Sequence, residues 1–306
     1  GDFIYRYCRA LGRQCPTPGV GHLGLLIIMV AMALMYVYVA IFAFGCIVGS
    51  FLNVIILRQS AGKTRRKRSI CLSCGKKIEN RDLVPIYSYL ALRGRCRHCK
   101  SKISPQYLVV ELVMGLFFAL SYFQTISTTP LSFQIFDWLS LSMIGATLMV
   151  ALVYDLRHKI IPDWTSVLLA IFVLIRISVF SYLAGELGTI SYFKDILAGI
   201  FAATPFFILW LVSGGRWMGL GDAKLMVGLG MLLGWEYWLT GFAVSFWLAS
   251  IIVLSLMALG RLFPRARLFS GFSSLGRKSE VPLGPFLIVG CLLVYFLKWD
   301  LFAMFI

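Results

Sequence analysis

Residues 219–235 read GLGDAKLMVGLGMLLGW, an apolar run with a carboxylate near its beginning. Apart from Asp222 and Lys224 the run is uncharged, so it is predicted to be a membrane span. A carboxylate at the edge of a span costs roughly 3 kcal/mol on insertion scales, which makes Asp222 a candidate functional group. Gly219 and Gly221 allow the backbone to bend or to approach an extended substrate closely.

A second carboxylate, Asp155, lies in the segment VYDLRHKIIPD at residues 153–163. It is predicted to end a span, where the helix macrodipole disfavours an acid, so local structure gives no reason for it. Helix capping is the preferred interpretation of Asp163, which follows Pro162 and precedes the next span. For Asp222, at a predicted helix start, capping stays open as an alternative to a functional role.

The rest of the chain also has the composition of a polytopic membrane protein. Its 306 residues are 59% hydrophobic and the mean hydropathy is +0.85, values that soluble globular domains rarely reach. Because a span needs about 20 apolar residues, we predict an all-α fold of about eight transmembrane helices. They are expected near residues 25–57, 107–124, 136–156, 164–183, 193–213, 220–235, 238–259 and 283–304.

Charge orients these spans. Of 29 Lys and Arg residues, 14 fall between Arg58 and Lys102, beside only Glu79 and Asp82. The positive-inside rule explains this basic block more simply than nucleic-acid binding, so no nucleic-acid partner is predicted. With segment 58–106 in the cytoplasm, both aspartates come to the same face at the same depth. Two carboxylates about 3 Å apart cannot both ionise, and a pair that shares a proton can activate water for peptide hydrolysis.

Two cysteine pairs lie inside the basic block, CLSC at 71–74 and CRHC at 96–99. Two CxxC knuckles can place four thiolates around a zinc ion, which would supply folding energy to a polar insert with few apolar residues. Two disulfides or free thiols are the alternative, and the predicted cytoplasmic location disfavours disulfides. Because four thiolates leave no open coordination position, the zinc is expected to be structural, bound by Cys71, Cys74, Cys96 and Cys99.

These features divide the chain into four predicted regions. Residues 1–24 form an N-terminal extension of unclear origin, and 25–57 form the first transmembrane helix. Residues 58–106 form a small zinc-ribbon-like cytoplasmic domain, and 107–306 form a seven-helix membrane domain that carries both aspartates.

Two further polar residues lie in predicted spans. Glu111 is an acid in the second span, where it is expected to pair with a base or line a cavity. Asn53 lies near the inner end of the first span, and an interhelical hydrogen bond is one interpretation of it.

Several motifs occur in an order that resembles a known family. They are GSFLNV at 49–54, the double CxxC, Asp155 followed by Ile161-Pro162, the GxGD sequence at 219–222, and VPLGPF at 281–286. GxGD alone is a weak signal, but the ordered set is specific. The chain resembles bacterial type IV prepilin peptidases, the leader peptidase/N-methyltransferases of the GxGD intramembrane aspartyl proteases, over about residues 45–304.

The resemblance implies a multi-pass enzyme of the bacterial inner membrane with its active site facing the cytoplasm. It would cleave the short basic leader of type IV prepilins and type II secretion pseudopilins after a Gly. It would then methylate the new N-terminus with S-adenosylmethionine. Asp155 and Asp222 would be catalytic. The supporting loop would comprise Gly219, Gly221, Lys224 and Asp163, and Asn53 and Glu111 mark a candidate substrate or methyl-donor region.

Other function classes fit some of the same residues. A degenerate or methyltransferase-only member would bind pilins without cleaving them. A proton-coupled transporter would use Asp155, Asp222 and Glu111 as a relay and would move a substrate without releasing a cleavage product. The order of the motifs favours the peptidase.

Overall fold

The computed structural model describes residues 20–60, 71, 73–262 and 282–302. Its helices are α1 (Val20–Ser60), α2 (Tyr87–Ala91), α3 (Gln106–Thr128), α4 (Gln134–His158), α5 (Asp163–Leu183), α6 (Ile190–Ser213), α7 (Leu220–Leu262) and α8 (Gly284–Leu297). Short 3-10 turns occupy Asn80–Leu83 and Leu131–Phe133. Across the described ranges the β-structure consists of one isolated bridge, Arg95 to Lys102. Predictions about residues 1–19 lie outside these ranges, and the first helix already begins at Val20.

Six helices, α1 and α3 to α7, are long and apolar enough to cross a membrane. The 14-residue apolar helix α8 is shorter than a full span. Within the described chain these helices reproduce the predicted all-α membrane fold, with a Cys-bearing insert between α1 and α3. We call the face of the bundle that carries this insert the insert side.

Helix α7 is two helices joined at Gly234, whose φ of 72° is not helical. Gly241 packs directly against the Leu233 side chain, although a continuous helix would separate residues eight apart by about 12 Å. The chain therefore reverses at Gly234. The reversal accounts for the two spans predicted at 220–235 and 238–259.

Contacts with α6 confirm the direction of both halves. Gly199 packs against Val227 and Met231 of the first half, while Phe206 stacks on Phe246 of the second half, farther along the chain. Since Phe201 also contacts Trp235, the second half runs parallel to α6. The first half is antiparallel to it, because Gly234 contacts Asp195 near the start of α6, whereas Gly230, earlier in the chain, lies against Ala202 farther along α6. Residue 220 therefore lies at the same end of the bundle as the end of α6.

Helix α8 runs antiparallel to the second half of α7. Ser245 donates to the carbonyl of Leu287, and Thr240, nearer the start of that half, donates to Asp300. The start of α8 therefore lies on the insert side. The helix ends at Leu297 rather than near 304, because Lys298 adopts a left-handed conformation with its ammonium 4.9 Å from the Tyr295 ring centre.

Helices α1 and α3 pack closely through small residues. A Cβ atom at Gly45 would lie 2.8 Å from the Met114 carbonyl oxygen, and one at Gly49 would lie 2.9 Å from Glu111 Cα. Such positions let membrane helices approach backbone to backbone. This pair and part of α4 form one core cluster, and α4 to α8 form a second, so α4 joins the two.

Candidate active site

The last turn of α4 holds Asp155, and the first turn of α7 holds Asp222. The packing of the helices brings the segments next to the two aspartates together. A Cβ atom at Gly284, the first residue of α8, would lie 2.5 Å from Asp155 Oδ2 and 3.2 Å from Ile161 Cδ1. A Cβ atom at Gly221 would in turn lie 3.2 Å from Ile161 Cβ. Ile161 thus bridges the segments that carry the two aspartates.

Among the described residues, neither carboxylate forms an ion pair with a cation. Asp155 is 5% exposed, and its Oδ2 atom has no hydrogen-bond partner among the described residues. Its charge repels that of Asp222. A buried and a half-buried carboxyl group that lie close together, with no cation among the described residues, cannot both ionise at low cost, so such a pair favours holding one proton.

Asp163 does not form the predicted helix cap. Pro162 is the N-cap residue of α5 and Asp163 is the first helical residue, without a side-chain capping bond. Its carboxylate instead accepts a 2.7 Å bond from Lys224 Nζ. The capping prediction was wrong because a cation on the neighbouring helix competes for this carboxylate. The Lys224 charge is consequently directed to Asp163.

The glycines of the supporting loop have different surroundings. Gly221 packs on Ile161, whereas a Cβ atom at Gly219 would meet only the Gly221 nitrogen, at 3.9 Å. Close approach is therefore required at Gly221 alone. Sequence reasoning did not assign Gly284 and Ile161 to the site, although both lie in motifs that carried the resemblance. The Gly-Pro pair that opens the last apolar run was the available signal for Gly284.

The four cysteines form a cluster with the geometry of a metal site. The Sγ atoms of Cys71, Cys74, Cys96 and Cys99 all lie within 4.8 Å of one another, and those of Cys71 and Cys99 are 3.8 Å apart. A tetrahedron with Zn–S bonds of about 2.3 Å has edges of about 3.8 Å. The donor set and its spacing therefore fit a four-coordinate zinc ion.

Both CxxC knuckles have the same backbone hydrogen bonds. In the first knuckle, Cys71 N donates to Lys76 O and Gly75 N donates to Cys71 O. In the second, Cys96 N donates to Ser101 O and Lys100 N donates to Cys96 O. The residue after the second cysteine is left-handed in both knuckles, with φ of 69° at Gly75 and 59° at Lys100. The cluster is thus built from two local turns of one kind.

Hydrogen bonds favour the ionised form of Cys71 and Cys99. Cys74 differs, since the Lys76 amide lowers its pKa but desolvation and the neighbouring Cys71 and Cys99 thiols raise it to about 11 overall. The backbone amides of Cys74 and Ser73 lower the pKa of Cys71 to about 6. The Ser101 hydroxyl, 3.1 Å from Cys99 Sγ, lowers the pKa of Cys99. A thiolate is the form that binds metal, so these contacts assist metal binding at neutral pH.

Asn53 and Glu111 lie at the α1–α3 interface. Asn53 Nδ2 donates to the Tyr107 carbonyl at 3.2 Å, which is the predicted interhelical bond, while its buried Oδ1 has no partner in the described chain. Glu111 is 7% exposed and accepts a 2.8 Å bond from the backbone amide of Ile86. The acid thus holds the insert to α3 rather than pairing with a described basic residue.

Comparison with known proteins places these two sites in separate family regions. Residues 43–125 match the bacterial peptidase A24 N-terminal domain, and residues 142–254 match the type IV leader peptidase family. A Vibrio cholerae prepilin leader peptidase/N-methyltransferase is 30% identical over 85% of this chain and 97% of its own length. The chain belongs to the type IV leader peptidase family.

Other family members are similar over most of the chain. The prepilin leader peptidase/N-methyltransferase of Aeromonas hydrophila is 27% identical over 86% of this chain and 92% of its own length. The type 4 prepilin-like proteins leader peptide-processing enzyme of Escherichia coli is 31% identical over 62% and 74%, respectively. No solved structure gives a significant match. The family region 142–254 contains both aspartates, and 43–125 contains the four cysteines.

Proposed function

We propose that this leader peptidase removes the leader of prepilins and pseudopilins with Asp155 and Asp222 as its catalytic pair. One observation carries the assignment: on the insert side of an apolar bundle, Ile161 bridges the segments that hold Asp155 and Asp222, and neither carboxylate has a cation partner among the described residues. The relatives' names support cleavage followed by N-methylation. They do not favour a transporter or a pilin binder that has lost cleavage.

The chemistry needs one ionised and one protonated carboxyl group. The carboxylate takes a proton from water, and the water oxygen attacks the carbonyl carbon of the scissile peptide. The protonated carboxyl gives its proton to the carbonyl oxygen. The C–N bond then breaks, and a proton passes to the leaving amine. Gly284 lets α8 approach Asp155 Oδ2 to within contact distance, which limits the water that reaches this carboxylate.

The methyl-donor region is proposed at Asn53 and Glu111. S-adenosylmethionine supplies a methyl group bound to a positively charged sulfur. Asn53 Oδ1 is a buried acceptor without a described partner, and Glu111 is a buried acid one helical turn away on the facing helix. An acceptor and an acid together suit a cationic ligand. Asn53→Ala should therefore weaken donor binding, measured by equilibrium dialysis, and unchanged binding would remove the assignment.

The four cysteines are proposed to hold structural zinc in the region 58–106. We keep the boundaries 1–24, 25–57, 58–106 and 107–306 as the proposed division of the chain. Metal analysis of the purified protein should find one zinc per chain, lost in Cys71→Ser. A metal-free protein whose insert resists proteolysis would contradict this role.

The enzyme is proposed to lie in the bacterial inner membrane with the insert and the aspartates facing the cytoplasm. The Lys- and Arg-rich block at 58–102 supports this orientation, because short cytoplasmic loops accumulate basic residues. A membrane-impermeant thiol reagent would test it. The reagent is applied to the Cys99→Ser variant, in which the remaining insert cysteines are labelled, and to a variant with a cysteine introduced in an outer loop. Labelling of the insert from the outer side would show that the orientation is the reverse of the one proposed.

The catalytic proposal is tested with purified protein and a synthetic prepilin, followed by mass spectrometry with and without S-adenosylmethionine. Leader loss that disappears in Asp222→Asn and persists in Asp163→Asn supports the pair. A further methyl mass that appears only with the donor supports the second activity. Leader loss that survives both Asp155→Asn and Asp222→Asn would refute the assignment.

A further inference from the structure

The insert has a basic cleft that neither the zinc cluster nor the aspartate pair uses. The cleft has a volume of about 500 Å³ and is lined chiefly by Tyr89, Arg93, Gly94, Arg95, Lys102 and Ile103, ending at Pro105. Three of these side chains are cationic and none is acidic. The cleft therefore favours an anionic ligand.

The three cations are available to such a ligand. Arg97, on the same segment, is held by Asp82 at 2.6 Å. Within the part of the insert that the structure describes, Arg93, Arg95 and Lys102 form no ion pair. All three side chains are exposed. The bridge between Arg95 and Lys102 brings the two chain segments that line the cleft together. Their shared charge is not neutralised by the described residues.

The cleft also lies at the level of the membrane surface. Pro105 directly precedes α3, a helix long and apolar enough to cross a membrane, and the side chain of Val109, one turn into α3, is 54% exposed. Four residues of helix rise by about 6 Å, and the headgroup layer on each face of a bilayer is about 5 to 7 Å thick. The cleft therefore falls at headgroup depth.

A hydrogen bond holds the insert against the first turns of α3. The bond from Ile86 N to Glu111 fixes the start of α2 to the second turn of α3. Around it the insert exposes apolar side chains that the described protein leaves uncovered: Leu83, Val84, Tyr87 and Leu90 are 43%, 46%, 67% and 61% exposed, respectively. Exposed apolar residues next to free cations are typical of segments that lie in a membrane interface.

We propose that the insert lies on the bilayer surface and that the Arg93–Arg95–Lys102 cleft binds the phosphate of an anionic phospholipid. The exposed apolar residues enter the interface, and the three cations surround the headgroup. This inference does not depend on the catalytic assignment. Lipid phosphate bound here would also offset the basic charge of the insert where a basic leader approaches.

The test is hydrogen–deuterium exchange of residues 83–104 in nanodiscs of phosphatidylcholine, with or without phosphatidylglycerol. Phosphatidylglycerol should slow exchange in this segment of the native chain. The slowing should be lost in Arg93→Gln/Arg95→Gln/Lys102→Gln. It should persist in the matched control Lys76→Gln/Lys77→Gln/Lys100→Gln, which loses the same charge outside the cleft. Zinc content, measured in each variant, verifies that the insert is folded.

Two further arms identify the source of the anion. Inorganic phosphate added to pure phosphatidylcholine discs should leave exchange unchanged, and a prepilin peptide should do the same at this segment. Slowing by either one would overturn the lipid assignment. So would equal loss of protection in both triple variants, which would show diffuse attraction rather than a site, or no effect of phosphatidylglycerol on the native chain.

Discussion

The two ends of α4 each carry a buried aspartate, but the surroundings of these residues are opposite. Asp137, in the first turn, is 1% exposed and is paired with Arg176 at 2.5 Å. It also accepts bonds from Thr125 and Thr129 at 3.0 and 2.9 Å. Asp155, in the last turn, faces another carboxylate and has a buried oxygen without a described partner. The first arrangement stabilises the fold, whereas the second costs stability and is the arrangement expected of the proposed catalytic acid.

The largest expected effect is on catalysis at the insert-side end. Asp155→Asn should lower the rate of leader cleavage by about 10³-fold or more, because general acid–base groups contribute about 10² to 10⁴ each and the pair acts as a unit. The thermal midpoint should stay the same or rise, because the substitution removes charge repulsion. Single-turnover cleavage and a melting curve on the same sample measure both quantities.

The opposite end should respond in the reverse way. Asp137→Asn leaves the half-buried Arg176 without its counterion. A broken buried pair costs about 3 to 5 kcal/mol, so a loss of stability below that range is expected. Cleavage by the remaining folded protein should stay within a few-fold of the native rate. Denaturant titration gives the stability, and the rate per folded molecule gives the activity. A native melting curve for this variant would show that the pair contributes nothing.

A smaller effect is expected from changing the contact beside Asp155. Gly284→Ala places a Cβ atom 2.5 Å from Asp155 Oδ2, so the carboxylate must move. A misplacement of about 1 Å costs roughly 10²-fold in rate, and the loss should appear in kcat rather than KM. Gly219→Ala is the matched control, since the nearest atom to its Cβ would be the Gly221 nitrogen, 3.9 Å away. Equal losses of kcat in the two variants would show that the close approach of Gly284 to Asp155 does not matter for the rate.

The smallest effect is expected at the exposed ion pair. Lys224→Met removes the ion pair between α7 and Asp163, whose side chain is 74% exposed. Exposed pairs contribute about 0 to 1 kcal/mol, so both stability and cleavage should change little. A double-mutant cycle with Asp163→Asn measures the coupling. A coupling well above this range, or a loss of activity like that of Asp155→Asn, would move Lys224 into the catalytic machinery.

The sequence was sufficient for features that depend on composition or on local spacing. Apolar runs predicted the spans, including the separation at Gly234, and the CxxC spacing predicted a thiolate cluster that two local turns then build. Charge asymmetry predicted that both aspartates share one face. Each of these signals is contained within a few residues or summed over many.

Contacts between distant helices could not be predicted in this way. The approach of Gly284 to Asp155 and the bond from Ile86 to Glu111 depend on crossing angles and depths that no local pattern encodes. The same limit explains the error at Asp163: capping is a local preference, and Lys224, on another helix, supplied a competing partner. Where long-range packing decides a contact, local propensity was only a weak guide.

One paired measurement tests the central claim most directly. Prepilin cleavage and unfolding free energy are measured side by side for Asp155→Asn and Asp137→Asn in the same lipid. The account predicts that the first variant loses cleavage and keeps its stability, while the second keeps cleavage per folded molecule and loses stability. Cleavage at the native rate by Asp155→Asn would contradict the assignment of this aspartate as a catalytic residue.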